Sequence, residues 1–134
     1  MPDEYYGYKV RENLFDGEHN YFWQHPDVPG MAAEDNTIIF NPYSTGVDFD
    51  AVGKNEAVRL FLRERNVQPE FDLTEEQIET FKGTPYEDDP MALKHSIIGR
   101  IISGDPSAGN VTPQQREWAE IVSQEINRRY VNEQ

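Results

Sequence analysis

The sequence predicts a mainly α domain: about four to five short helices with one small β-strand or hairpin element near residues 28–41. Three observations carry this expectation. Helix-start chemistry recurs at Thr74-Glu75-Glu76-Gln77, Asp89-Pro90 and Thr112-Pro113-Gln114-Gln115. In the two Thr-x-x-Gln boxes the hydroxyl can accept from the backbone of the Gln, whose side chain can reach back. Proline is favoured at the first helical position. Apolar residues recur at helical spacing, most densely at Leu93, Ile97, Ile98, Ile101 and Ile102, which makes that segment the central helix. The third observation is Thr37-Ile38-Ile39-Phe40, the one run that reads as a strand.

Taken in order, residues 1–16 form an N-terminal aromatic and acidic arm, with Tyr5, Tyr6, Tyr8, Leu14 and Phe15 in no clean period. Docking on the protein's own core or on a partner would tie such an arm down. Residues 17–134 form a single, mainly helical domain. Asp16 to Gln24 reads as a short helix that stops before His25-Pro26, because the residue before a proline is pushed out of the helical region. Glu34-Asp35-Asn36 is a turn into the strand and Asn41-Pro42 closes it. A strand cannot stand alone, so its partner is expected within 28–33 or in another subunit. A helix at about 50–65 places Ala51, Asn55, Val58, Phe61 and Leu62 on one face and Glu56, Arg59, Arg63 and Glu64 outward. Asn55 then needs a hydrogen-bond partner, expected from the end of the strand. A short helix, 75–82, turns Ile78 and Phe81 inward. The helix from Asp89-Pro90 runs to about 103. The last, from 113 to about 130, presents Trp118, Ile121, Val122, Ile126 and Tyr130.

Composition removes several chemistries. The chain has 134 residues, 25 acidic against 12 basic, a net charge of -13 and 37% hydrophobic residues, with a mean hydropathy of -0.80. A modest core with much polar surface follows. The charge argues against direct nucleic-acid or anionic-lipid binding, which needs Lys and Arg to displace counterions. It suits basic partners and solubility. There is no cysteine, so disulfides, thiolate nucleophiles, Fe–S clusters and zinc–thiolate sites are excluded. No apolar run is long enough for a membrane span, and Met1-Pro2-Asp3-Glu4 does not resemble a signal peptide.

The remaining motifs lack essential members. Gly104-Asp-Pro-Ser-Ala-Gly109 has the glycine spacing of a phosphate loop without its lysine, so it reads as a helix–helix connection. Asn55-Glu56-Ala57-Val58-Arg59 sits where a zinc peptidase would place His-Glu-x-x-His, but both histidines are missing. His19, His25 and His95 are scattered, and His95 reads as a packing residue. Asp48-x-Asp50 and Glu87-Asp88-Asp89 lack calcium-loop spacing and read as helix caps. No cofactor, metal site or catalytic residue is assigned. The aromatic residues have acidic flanks, which excludes a nucleic-acid stacking platform and leaves core packing or a protein interface. The candidate partner-binding residues are Tyr5, Tyr6, Tyr8, Trp23 and Tyr43.

The run Gly30 to Asn36, followed by Asn41-Pro-Tyr-Ser44, Asn55-Glu-Ala57, Ser103 to Gly109 and Thr112-Pro113, resembles small uncharacterised proteins of tailed bacteriophages, especially marine ones. The likeness covers about residues 20–125 and implies a gene of virion assembly or infection, in the virion or in the cytoplasm of the infected host. The functional expectation is a non-enzymatic protein that binds other virion proteins, as a minor virion or assembly component. One alternative is an acidic early inhibitor of a host nucleic-acid-binding protein, using carboxylates around 70–89 as phosphate mimics. Another is a carboxylate-based hydrolase, whose most testable pair is Glu34 and Asp35.

Overall fold

The computed structural model describes residues 2–132. Along the chain run β1 (Glu4–Tyr5), β2 (Tyr8–Lys9), α1 (Asp16–Gln24), β3 (Gly30–Ala32), β4 (Ile38–Phe40), α2 (Phe49–Glu64), α3 (Glu75–Thr80), α4 (Pro90–Ser103), a 3-10 turn (Pro106–Ala108) and α5 (Pro113–Asn132). The architecture is mainly α, with two small antiparallel hairpins.

Four of the helices, α2 to α5, begin where the local chemistry asks. Asp48 accepts from the Ala51 N–H at 3.2 Å and Asp89 from the Ala92 N–H at 3.1 Å. Both capping boxes close in both directions: Thr74 with Gln77 at 3.1 and 3.0 Å, Thr112 with Gln115 at 3.1 and 3.1 Å. Gly104 ends α4 at φ +73°, a conformation glycine adopts without steric cost. The stretch Gly104 to Gly109 is a connection, with Asp105 accepting from the Ser107 N–H at 2.9 Å.

The strand finds its partner within 28–33. Gly30 pairs with Phe40, Met31 with Ile39 and Ala32 with Ile38. Asn36, at φ +62°, makes the turn, and the Ala33 N–H donates to the Thr37 carbonyl at 2.8 Å. Successive strand residues face opposite sides, and here both sides are covered. Ile38 belongs to the main core with α2, α4 and α5, while Ile39 packs with Phe22 of α1 and Ala33 in a second, smaller core. Asn41, 1% exposed, fastens this layer. Its amide donates to the carbonyls of Phe22, His25 and Val28 at 3.2, 3.0 and 2.8 Å, and its oxygen accepts from the Tyr43 N–H.

Residues 4–9 are a hairpin turned at Tyr6 and Gly7, with φ of +52° and +84°, and residues 10–11 run beside β4. Tyr5 and Tyr8 are buried in the main core. The Tyr5 hydroxyl donates to Asp50 at 2.8 Å and the Tyr8 hydroxyl to Glu64 at 2.6 Å. Tyr5 lies against Gly53 of α2, where a Cβ would come within 2.2–2.5 Å of its ring atoms. Arg129 of α5 stacks 4.2 Å over Tyr8 and donates to the Tyr6 carbonyl. The arm is thus part of the core.

Those phenols make stability pH-sensitive at the alkaline end. Burial and the bond to Asp50 push Tyr5 from the usual 10.0 up to about 12. Burial and the bond to Glu64 push Tyr8 up as well, against the pull of Arg129. A raised folded-state pKa means stability is intact below the unfolded value of about 10 and is lost as pH rises through 10 towards 12. Urea midpoints are expected to fall over that interval, and the Tyr5→Phe/Tyr8→Phe double variant should flatten the fall. An equal slope in the double variant would exonerate both residues.

Three expected orientations are corrected. Ile78 and Ile121 are 45% and 49% exposed. On α3 the inward position is Gln77, and on α5 the inward stripe is Gln115, Ala119, Val122 and Ile126, to which Ile121 does not belong. Glu56, expected outside, is 5% exposed, because the hairpin and the 81–86 loop cover that side of α2.

Candidate functional site

The five sequence-predicted contact residues divide. Tyr5 and Tyr8 are interior, which removes them as partner contacts in this fold. Tyr6 is half-buried and packs against the main core. Trp23 and Tyr43 meet at the surface. Trp23 is 65% exposed, and its ring stands edge-on to Tyr43 at 5.1 Å.

Two further residues join them. Tyr43 is also edge-on to His19 at 5.4 Å, with its hydroxyl 2.6 Å from His19 Nε2. Phe15, 60% exposed, lies one turn before His19, and Arg11 stacks 4.0 Å from its ring centre. Phe15, His19 and Trp23 are spaced by four, so they follow one another along α1, while Phe22, beside Trp23 in the sequence, is buried in the smaller core. The i, i+4 spacing of Phe15 and His19 is the signal that would have added them to the sequence reading. Edge-to-face aromatic packing and the Asn41 clasp hold this ridge in place.

Of the pair Glu34 and Asp35, Asp35 is engaged by its own neighbours. Asp35 accepts from the Thr37 hydroxyl and from Arg11 Nε at 3.0 Å, and these bonds hold its carboxyl below the usual range. A general acid needs the opposite shift. Asp48 and Asp89 are occupied as caps. His95 is 9% exposed, with Nε2 2.8 Å from the Val67 carbonyl, and burial lowers its pKa.

A second constellation escaped the sequence reading. Asn55, Glu56 and Arg59 of α2 face Ser96 and Arg100 of α4 across a cleft of about 180 Å³, walled by Phe81 and Tyr86. Glu56 accepts from Arg59 Nη1 through both oxygens at 3.3 Å. Desolvation raises the Glu56 carboxyl, with Arg59 opposing it. Arg59 stays charged against that carboxylate and stacks 4.3 Å over Tyr86. Arg100 stacks 4.3 Å over Phe81 and donates to the Ser107 carbonyl at 3.3 Å. Burial lowers its pKa, partly offset by Asp105. Asn55 Oδ1 is buried with no hydrogen-bond partner among the described residues. The end of the strand does not supply one; Asn55 sits instead against Gly99 of α4.

Among the described residues, no group of three or more His, Asp or Glu side chains could hold a metal ion, and no helix is long and apolar enough to cross a membrane. No family profile, curated protein or solved structure matches this chain.

Proposed function

We propose that the chain is a non-enzymatic binding protein that docks on another protein through the Phe15–His19–Trp23–Tyr43 ridge, as a minor virion or assembly component of a tailed phage. The exposed aromatic ridge carries the reading. Large aromatic side chains at the surface with rigid backing are the residues that dominate protein interfaces. Asp16, Glu12 and Asp27 lie close to the ridge in sequence, and the whole chain is acidic, so the partner's face is apolar at its centre and basic at its margin.

Mass spectrometry of purified particles tests the setting, and the Trp23→Ala variant tests the surface. Trp23→Ala is expected to weaken incorporation or partner binding by roughly thirtyfold, a loss of about 2 kcal/mol. Its melting temperature should stay near that of the parent, since the ring packs on the surface. Absence of the chain from particles and assembly intermediates would count against the reading, as would undiminished incorporation of Trp23→Ala.

A second reading has its own support: Glu70, Asp72, Glu75, Glu76, Glu79, Glu87, Asp88 and Asp89 are all exposed. They suit an early inhibitor that occupies the nucleic-acid face of a basic host protein. Binding of that kind weakens steeply with added salt, whereas docking through the aromatic ridge does not.

A further inference from the structure

A groove of about 680 Å³ runs between the start of α1 and the β3–β4 hairpin. Phe15, Gly17, Glu18 and Tyr21 line one side and residues 31–35 the other, with Ile39 of the smaller core beneath. Pockets that take up a drug-sized ligand hold roughly 300–1,000 Å³, so this one has room for a large side chain. Its apolar walls are not closed off by the fold. Phe15 is 60% exposed, and Tyr21 and Met31 are half-buried although they pack on the smaller core. The unbranched thioether of a methionine beside aromatic rings adapts to an incoming side chain.

The charge at the margin selects the occupant. Glu18, Glu34 and Asp35 all lie in the lining. Arg11 binds two of them, Glu18 at 2.8 Å and Asp35 at 3.0 Å, so one guanidinium stands against three carboxylates. Glu34 is exposed and has no hydrogen-bond or ion-pair partner among the described residues. A second copy of this chain carries a net charge of -13 and meets like charge here. Anionic lipid and nucleic acid are disfavoured on the same ground. A cationic segment is attracted, and the walls offer its apolar side chain a place to bury.

We propose that this groove takes a large apolar side chain, flanked by lysine or arginine, from the partner protein. This second contact rests on the reading of the chain as a docking protein, and it adjoins the aromatic ridge at Phe15. The apolar side chain lies between Phe15, Tyr21 and Met31, and its cationic neighbour pairs with Glu34.

The test is titration of the full chain with the peptide acetyl-Lys-Phe-Lys-amide, followed by backbone amide NMR. The comparison peptides are acetyl-Lys-Ala-Lys-amide and acetyl-Glu-Phe-Glu-amide. The amides of Gly17, Met31 and Glu34 are expected to shift together and saturate with the first peptide. The alanine peptide is expected to bind about tenfold more weakly or worse, the loss of one buried aromatic side chain. Glu34→Lys, a change at an exposed and unpaired side chain, is expected to weaken the first peptide about tenfold by turning an attraction into a repulsion. Silence of these amides at tens of millimolar, equal binding of the three peptides, or unchanged affinity in Glu34→Lys would overturn the assignment. Incorporation into particles separates the groove from the ridge. Loss of incorporation in Trp23→Ala with normal incorporation of Glu34→Lys would overturn the groove and leave the ridge. Loss in Glu34→Lys with normal incorporation of Trp23→Ala would support the groove and overturn the ridge.

Discussion

Replacing Gln115 by leucine is expected to destabilise the protein by about 3–5 kcal/mol, because it strands several buried polar groups at roughly 1–3 kcal/mol each. Gln115 is fully buried and Gln77 is 2% exposed. Their amides exchange hydrogen bonds in both directions, at 2.7 and 2.8 Å. Each oxygen also receives a backbone N–H from its own capping box, Thr74 for Gln77 and Thr112 for Gln115. Gln115 Nε2 donates in addition to the Asp72 carbonyl at 2.9 Å. One amide pair therefore joins the starts of α3 and α5 and fixes the loop before α3. Gln115→Leu leaves Gln77, the Thr112 N–H and the Asp72 carbonyl without this partner, in a place where water cannot reach all of them. Urea unfolding with an unchanged m-value measures the loss. The double variant Gln77→Leu/Gln115→Leu should cost less than the two single losses added, since residues in one network are coupled. Strict additivity would show that the two amides do not act as a unit.

The same residues show what was legible beforehand. Both capping boxes were readable because their hydrogen bonds join residues three apart. That the two glutamines bond to each other was not readable, because 38 residues separate them. The hairpin was legible from the β-branched run and its turn chemistry. The N-terminal hairpin was not, since its turn uses Tyr6 at positive φ, where Asn or Gly would be the usual signal. For Tyr5 and Tyr8 the sequence therefore left open whether the arm docks on the protein's own core or on a partner, although Gly53 had left space for one of them.

The candidate site divides along the same line. Trp23 and Tyr43 could be singled out in the sequence because aromatic side chains with acidic flanks are left with core packing or a protein interface. Their meeting could not be read, because it depends on Asn41 folding the 41–44 loop back onto the end of α1. Glu56 was placed outside by the ordinary expectation that a charged residue beside Arg59 at helical spacing is a solvated pair. That expectation holds for an isolated helix. Here β3 and the 81–86 loop cover the face, and neither can be read from α2 itself.

The buried pair gives the other large effect. Breaking a buried ion pair by removing one partner costs about 3–5 kcal/mol, because the remaining charge has no solvent and no counter-charge. Arg59→Leu takes its main counter-charge from the Glu56 carboxylate, leaving only the weaker pull of Arg63 and the Ala32 backbone, and its folded-state pKa, already raised by desolvation, rises further. The sign follows from linkage. With the folded value above the unfolded one, the protonated form is preferred in the fold, so stability is greatest below the unfolded carboxylate pKa of about 4.3 and is lost as pH rises towards the folded value. Measured as a difference from the parent, the penalty of Arg59→Leu should be large at neutral pH and shrink on acidification. Glu56→Leu leaves Arg59 instead, and its penalty should not shrink on acidification, because the guanidinium keeps its charge. The double variant Glu56→Leu/Arg59→Leu should be near neutral or more stable than the parent, as apolar replacements of buried pairs often are. That outcome would show that the pair is not kept for stability and would point to a role in the cleft it lines. A pH-independent penalty in Arg59→Leu, or a double variant as unstable as the worse single one, would show instead that the pair holds α2 against the 81–86 loop.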